Sequence, residues 1–231
     1  MTIVQTNGST QGAPDYVATT IVVTIPAGAT STSITLDTVE DTTNEPTETF
    51  NVNGTVTSGT ATQVNNGSVQ INDDDGVPTI TLGDVTVTEG TDPTAVIPVT
   101  LSNPNSVPVD VTVTLTTGTA GTDDYVETVL TVTIPAGATQ GVVNLTIVDD
   151  NIDEATESLT AVGTATNATT SSPATVTILD DATDVPAITL GDVTVTEGTD
   201  PTAVIPVTLS NPSDEACSGN GNVSSRNSRN R

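Results

Sequence analysis

The sequence predicts an all-β chain of tandem antiparallel β-sandwiches, about seven strands to a repeat, with a period of 108 residues. Three observations carry that reading. Thr occurs 51 times and Val 32 times in 231 residues, and both β-branched types suit the pleated, half-buried surface of a sheet. Residues 77–104 recur as residues 185–212 with one difference, Thr79 against Ala187; self-similarity at a fixed period marks a repeat architecture. Short runs that alternate apolar residues with Thr, such as VTVTL and LTVTI, are separated by turn-forming clusters.

The elements follow in order along the complete unit, residues 77–184. Runs at 79–88 and 94–101 flank the turn EGTDP, and 109–117 follows SNPNSVP. The run 126–134 follows TGTAGTDD, and 140–148 follows IPAGAT. The runs 156–165 and 173–180 close the unit after DDNIDE and before the final DD. Seven short strands in a unit of this size indicate a β-sandwich. Alternation gives each strand one core face and one Thr-rich wet face. Hydrophobic residues make up 34% of the chain. Low hydrophobicity with high net charge also describes disordered chains, but the patterning is too regular for that class.

Residues 1–76 echo the later part of the unit: DYVATTIVVTIPAGAT (15–30) against DYVETVLTVTIPAGAT (124–139). They are expected to form an N-terminally truncated copy, and residues 185–212 the opening strands of a third. Residues 213–231 leave the pattern and read as a disordered, non-repeat tail holding Cys217 and all three Arg. The linkers Asp75-Gly76-Val77-Pro78 and Asp184-Val185-Pro186 are short and contain Pro, which favours a semi-rigid rod.

Charge removes several functions. The net charge is −26, with no His and no Lys, and Arg only at 226, 229 and 231. Nothing before the tail could neutralise a nucleic-acid backbone or an anionic membrane surface. Catalytic arrangements that need His or Lys cannot be built. The three aromatic residues, Tyr16, Phe50 and Tyr125, offer little to hold a sugar between paired carboxylates. No apolar run is long enough for a transmembrane helix, and the N-terminus carries no signal-peptide pattern. One Cys allows no intramolecular disulfide.

The acids gather at strand ends. The complete unit has Glu89, then Asp123 and Asp124, then Asp149, Asp150, Asp153, Glu154 and Glu157, then Asp180, Asp181 and Asp184. Alternate loops of an antiparallel sandwich lie at the same end, so these turns are expected at one pole. Such a cluster repels itself unless a cation neutralises it. A donor set of oxygens alone selects a hard cation, and flexible carboxylate loops suit Ca²⁺ better than Mg²⁺. Isolated acids such as Asp110 and Glu127 are expected to be solvated surface charge, with Glu127 facing outward on the strand that follows the DDY turn.

The motifs VTVTEG (85–90), GTAGTDDY (118–125), TIPAGAT (133–139), IVDDNIDEATESL (147–159) and ATVTILDD (174–181) occur in order. In this the unit resembles a Calx-beta repeat, the calcium-binding immunoglobulin-like module of sodium/calcium exchangers, integrin β4 and many bacterial surface proteins. The resemblance implies Ca²⁺ ligands at Glu89, Asp124, Asp149, Asp150, Glu154, Glu157, Asp180 and Asp181, with the Ile152 carbonyl. In the truncated copy it implies Asp15, Glu40, Asp41, Glu45, Glu48, Asp73, Asp74 and Asp75. That copy lacks the TEG glutamate, has Glu40 where the pattern has Asp, and carries Pro46 inside the ExxE. The third fragment keeps only Glu197.

The implied function is a calcium-stiffened spacer of an extracellular or cell-surface repeat protein of the adhesin type, and not an enzyme. The alternative is a calcium-dependent ligand-binding or regulatory sensor module. The expected partners are calcium ions and neighbouring repeats. A second copy of the chain could join only by strand complementation between truncated repeats; frayed ends are the blander and preferred expectation.

Overall fold

The computed structural model describes residues 2–6 (backbone only), 15–17, 19–59, 61 and 64–218. Most of the expected tail, residues 219–231, lies outside the described residues; its first two residues, Ser213 and Asp214, are hydrogen-bonded to Asp153 rather than disordered. Every regular element among the described residues is a strand. The first copy contributes β1 (Thr2–Thr6), β2 (Thr20–Val22), β3 (Glu48–Thr55) and β4 (Gly67–Ile71). They form one antiparallel sheet in the order β2-β1-β3-β4.

The complete unit runs through β5 (Ile80–Leu82), β6 (Val85–Thr88), β7 (Thr94–Leu101), β8 (Val109–Thr117), β9 (Val129–Ile134), β10 (Gln140–Thr146), β11 (Glu157–Thr164) and β12 (Ala174–Leu179). These make two sheets, β10-β7-β5 and β6-β12-β11-β8-β9. Between them lies one core, with Ile97, Val99, Val111, Val113, Leu145, Leu159 and Val176 at or near zero exposure. On β8, Val109, Val111, Val113 and Leu115 point inward, while Asp110, Thr114 and Thr116 face water. Fully burying each such aliphatic side chain stabilises the fold by about 1.5–3 kcal/mol relative to leaving it exposed.

Three expectations need correction. The run 79–88 is not one strand, and the sandwich is not wholly antiparallel. Gly83 donates its N–H to the Pro98 carbonyl at 3.0 Å, and a Cβ at Gly83 would meet the Pro98 ring at 3.1 Å. The next residue, Asp84, accepts a hydrogen bond from the Thr175 N–H at 2.7 Å. The chain thus crosses from one sheet to the other, and β6 pairs in parallel with β12. Glu127, expected on a strand, precedes β9 instead. Its carboxylate accepts hydrogen bonds from the Thr146 N–H and Oγ1 at 2.8 and 2.9 Å. That side chain ties the turn to β10, so the strand begins at Val129.

The third fragment forms an antiparallel hairpin of β13 (Ile188–Leu190) and β14 (Val207–Leu209), both exposed along their length. The first copy buries Tyr16 against Phe50, with ring centroids 4.1 Å apart. Ile21, Leu36, Val52 and Ile71 are half-buried, whereas Val22 is 73% exposed and Ile25 50%.

Candidate metal centre

In the complete unit the acid-bearing turns converge at one pole. Glu89 follows β6 directly, and its N–H donates to the Leu179 carbonyl at 3.0 Å. This extends the parallel pairing and brings the Thr-Glu-Gly turn beside the exit of β12. Gly90 has φ +63°, and a Cβ there would lie 2.5 Å from Asp181 Oδ2 and 3.0 Å from Asp149 Oδ1. The turn therefore needs Gly for its left-handed backbone and for the carboxylates crowding it. Asp124 is buried; its Oδ2 accepts from the Gly121 N–H at 2.5 Å, and its carbonyl accepts from the Val148 N–H at 2.9 Å. Asp150 Oδ1 accepts from the Ile152 N–H at 2.6 Å, an Asx turn that folds residues 149–152 back toward the pole.

Two triads result. Glu89, Asp124 and Glu154 each offer an oxygen within 4.8 Å of the others, and so do Asp149, Asp181 and Asp184. Asp184 is buried at 4% exposure. The sequence placed it in the acidic exit, but the resemblance ended its ligand set at Asp181, so it was missed. Asp123 is exposed and Glu197 stands in no triad.

No Lys, Arg or His lies among the described residues. Burial, and then the negative charges of Glu154, Asp124, Asp150 and Asp180, push Glu89 up to about 7. Burial followed by Asp124 and Asp150 does the same for Glu154, again to about 7. Glu157 rises to about 7 through burial and a hydrogen bond with Asp124. Asp180 and Asp184 are also raised, burial being the first cause. Asp181 is lowered, because Thr183 donates to its Oδ1 through both N–H and Oγ1, at 2.6 and 2.7 Å.

The first copy builds a second acidic pole. Asp15, Glu40, Asp41, Glu45, Glu48, Asp73, Asp74 and Asp75 all line one cavity of about 310 Å³. Asp41 Oδ1 accepts from the Thr43 N–H at 2.6 Å, the same Asx turn as at Asp150. Asp73, Asp74 and Asp75 form a triad within 4.8 Å, and Asp73 Oδ2 accepts from the Glu45 N–H at 3.0 Å. Burial and then the charge of Asp15 push Glu45 up to about 7. Glu40 lines the cavity but is exposed and belongs to no triad.

Both poles fit a hard cation. All side-chain donors are oxygens, and Asp15 Oδ2, Glu45 Oε1 and Asp180 Oδ1 are buried with no hydrogen-bond partner. A buried anionic oxygen without a donor is costly, and a cation removes that cost.

The Calx-beta domain family model matches residues 1–75 and again residues 72–182. The chain belongs to the Calx-beta domain family. Calx-beta domains are calcium-binding regulatory and structural modules rather than enzymes, and their ion is Ca²⁺. The apo-form Calx CBD1 domain is similar at 22% identity and TM-score 0.40, over 45% of this chain and 98% of that one. The CBD12 structures of CALX1.2 and CALX1.1 are each 18% identical, with TM-scores of 0.41 and 0.42, over 58% of this chain and 70% of theirs. A comparison with curated proteins finds no match.

Proposed function

We propose that this Calx-beta chain is a calcium-stiffened spacer, a rod of repeats outside the cell or on its surface, in which Ca²⁺ clamps the loops at each repeat's exit. In the complete unit Glu89, Asp124, Asp149, Asp150, Glu154, Glu157, Asp180 and Asp181 would hold the ion or ions, with Asp184 and the Ile152 carbonyl. In the first copy the cavity acids would do so. The observation that carries the reading is the convergence of buried, mutually repelling carboxylates with no cationic side chain beside them. The exit position of the triads supports a joint role, because Asp181 and Asp184 lead directly into the next copy. An extracellular setting suits such a site, since modules there use Ca²⁺ at roughly 10⁻⁴–10⁻³ M. The test is calorimetric Ca²⁺ titration of the chain, paired with thermal melts in Ca²⁺ and in chelator. Binding only to the folded state stabilises it by about 2.7 kcal/mol at a hundredfold excess over Kd. Coincident melts and no binding heat would overturn the reading.

A further inference from the structure

Two joints in the chain share one hydrogen-bond pattern. At the first, the Asn44 N–H donates to the Pro104 carbonyl at 2.9 Å, and the Ser106 N–H donates back to the Asn44 carbonyl at 3.0 Å. At the second, the Asp153 N–H donates to the Pro212 carbonyl at 3.1 Å, and the Asp214 N–H returns to the Asp153 carbonyl at 3.1 Å. Each is an isolated parallel bridge, Asn44 with Asn105 and Asp153 with Ser213. Asn44 and Asp153 hold the same place in the acid loop, one residue before the first Glu of ExxE. Asn105 and Ser213 hold the same place in the Ser-Asn-Pro-x-x segment of the following copy.

We propose that this Ser-Asn-Pro-x-x segment is a docking element for the preceding repeat, latching into its acid loop in a fixed register. The side chains differ between joints while the backbone pattern is kept. At the first joint the Asn105 Nδ2 reaches Asn44 Oδ1 at 3.5 Å; at the second the Ser213 Oγ donates to Asp153 Oδ2 at 2.8 Å. The segment is also prepared for the task. Asn105 is 4% exposed, and its Oδ1 accepts from the Val107 N–H at 3.1 Å. The Asn before the Pro captures the linker: Asn103 Nδ2 donates to the Gly76 carbonyl at 3.0 Å, and Asn211 Nδ2 to the Asp184 carbonyl. Asn44 continues inward, its Nδ2 donating to Asp73 Oδ2 at 3.3 Å and to the Asp75 carbonyl at 3.2 Å. At the first joint the docked segment is thereby wired to the acidic pole of its predecessor.

The latch consists of backbone, amide and hydroxyl groups with the carboxylates of Asp153 and Asp73 as acceptors, and needs no ion. It is therefore tested in chelator, where its failure is separate from failure of the calcium reading. In full-length chain carrying Cys217→Ser, the pairs Asn44→Cys with Asn105→Cys and Asp153→Cys with Ser213→Cys are oxidised and followed by non-reducing mobility and mass. Bridged partners sit within the Cα separation that a disulfide allows. Both pairs should close intramolecularly, and the mispaired control Asn44→Cys with Ser213→Cys should stay reduced. In unmodified chain the Asn44 and Asp153 amides should exchange with deuterium roughly tenfold or more slower than unbonded loop amides. Cognate pairs that oxidise no faster than the control, or exchange at both amides as fast as at unbonded loop amides, would overturn the proposal.

Discussion

Glu154 and Glu127 show how one side-chain type acquires two roles. The Glu154 carboxyl is pushed up to about 7 by burial and by Asp124 and Asp150, with no cation to offset them. Glu127 is lowered because Thr146 donates to it twice. Replacing Glu154 by Gln removes an anion that repels its neighbours and that a metal would need. Its Ca²⁺ affinity should fall on the order of 100-fold, while its melt in chelator should hold or rise. Glu127→Ala should leave Ca²⁺ affinity unchanged and lower the melt in both conditions; calorimetry and melts separate the two, and equal affinity losses would mean that bulk charge holds the ion. The raised groups also fix a pH dependence. Glu89, Glu154 and Glu157 sit near 7 in the fold against an ordinary 4.5. The metal-free fold therefore takes up protons that the unfolded chain does not. Their contribution to stability is full below about 4.5 and is lost as pH rises through 7. In chelator the melt should be higher at about pH 5.5 than at about pH 8, and Ca²⁺ affinity should weaken over the same descent because protons compete for the oxygens. A chelator melt that climbs with pH would contradict this. The acid pattern made most of these residues visible in the sequence. Asp184 stood in the acidic exit but outside the ligand set that the resemblance implies, and its burial at 4% exposure is visible only in the fold. Glu127 was misplaced because Val-Glu-Thr-Val alternates like a strand while its side chain is bound by Thr146.

At the scale of elements, one stretch of sequence adopts two extents. TAVIPVTL occurs at 94–101 and again at 202–209. In the complete unit it is the eight-residue β7, hydrogen-bonded to β10 on one side and β5 on the other. In the third fragment only Val207–Leu209 is a strand, paired with β13 alone. Identical propensity with different partners gives different structure, because a strand's stability comes from what it packs and pairs with. Val99 has 0% exposure and its counterpart Val207 has 62%. Val99→Ala should therefore cost about 2 kcal/mol in transfer and cavity terms. Val207→Ala should stay within about 0.5 kcal/mol. Denaturant unfolding of both variants checks this, and equal losses would mean that the third fragment has a packed core. The strand positions of the complete unit were legible because alternation and turn residues agree there. The split of 79–88 was legible only in hindsight: apolar Ile80 and Leu82 are followed by Val85 and Val87, a one-residue slip of phase at Gly83-Asp84. That slip turns the chain to the other sheet.

At the scale of the whole molecule, a net charge of −26 raises the question of whether Ca²⁺ acts by screening or by coordination. Distance decides it. The Debye length is about 10 Å at 0.1 M salt, whereas each triad brings one carboxylate oxygen from every member within 4.8 Å of the others. Monovalent salt therefore weakens repulsion between distant surface acids and leaves the triads almost unrelieved, the more so because several members are buried. A divalent ion seated among them acts at contact. In chelator, raising NaCl from about 0.02 to 0.2 M should move the melt only slightly, as the screening length shortens past the spacing of surface charges but not past that of the triads. A few millimolar Ca²⁺ at constant ionic strength should raise it by several degrees, and Mg²⁺ should do less, because it demands near-octahedral geometry and sheds its water reluctantly. Differential scanning calorimetry across the three salts makes the comparison. If NaCl matched Ca²⁺, the acidic poles would be ordinary solvated surface and the fold would be held by charge dilution alone.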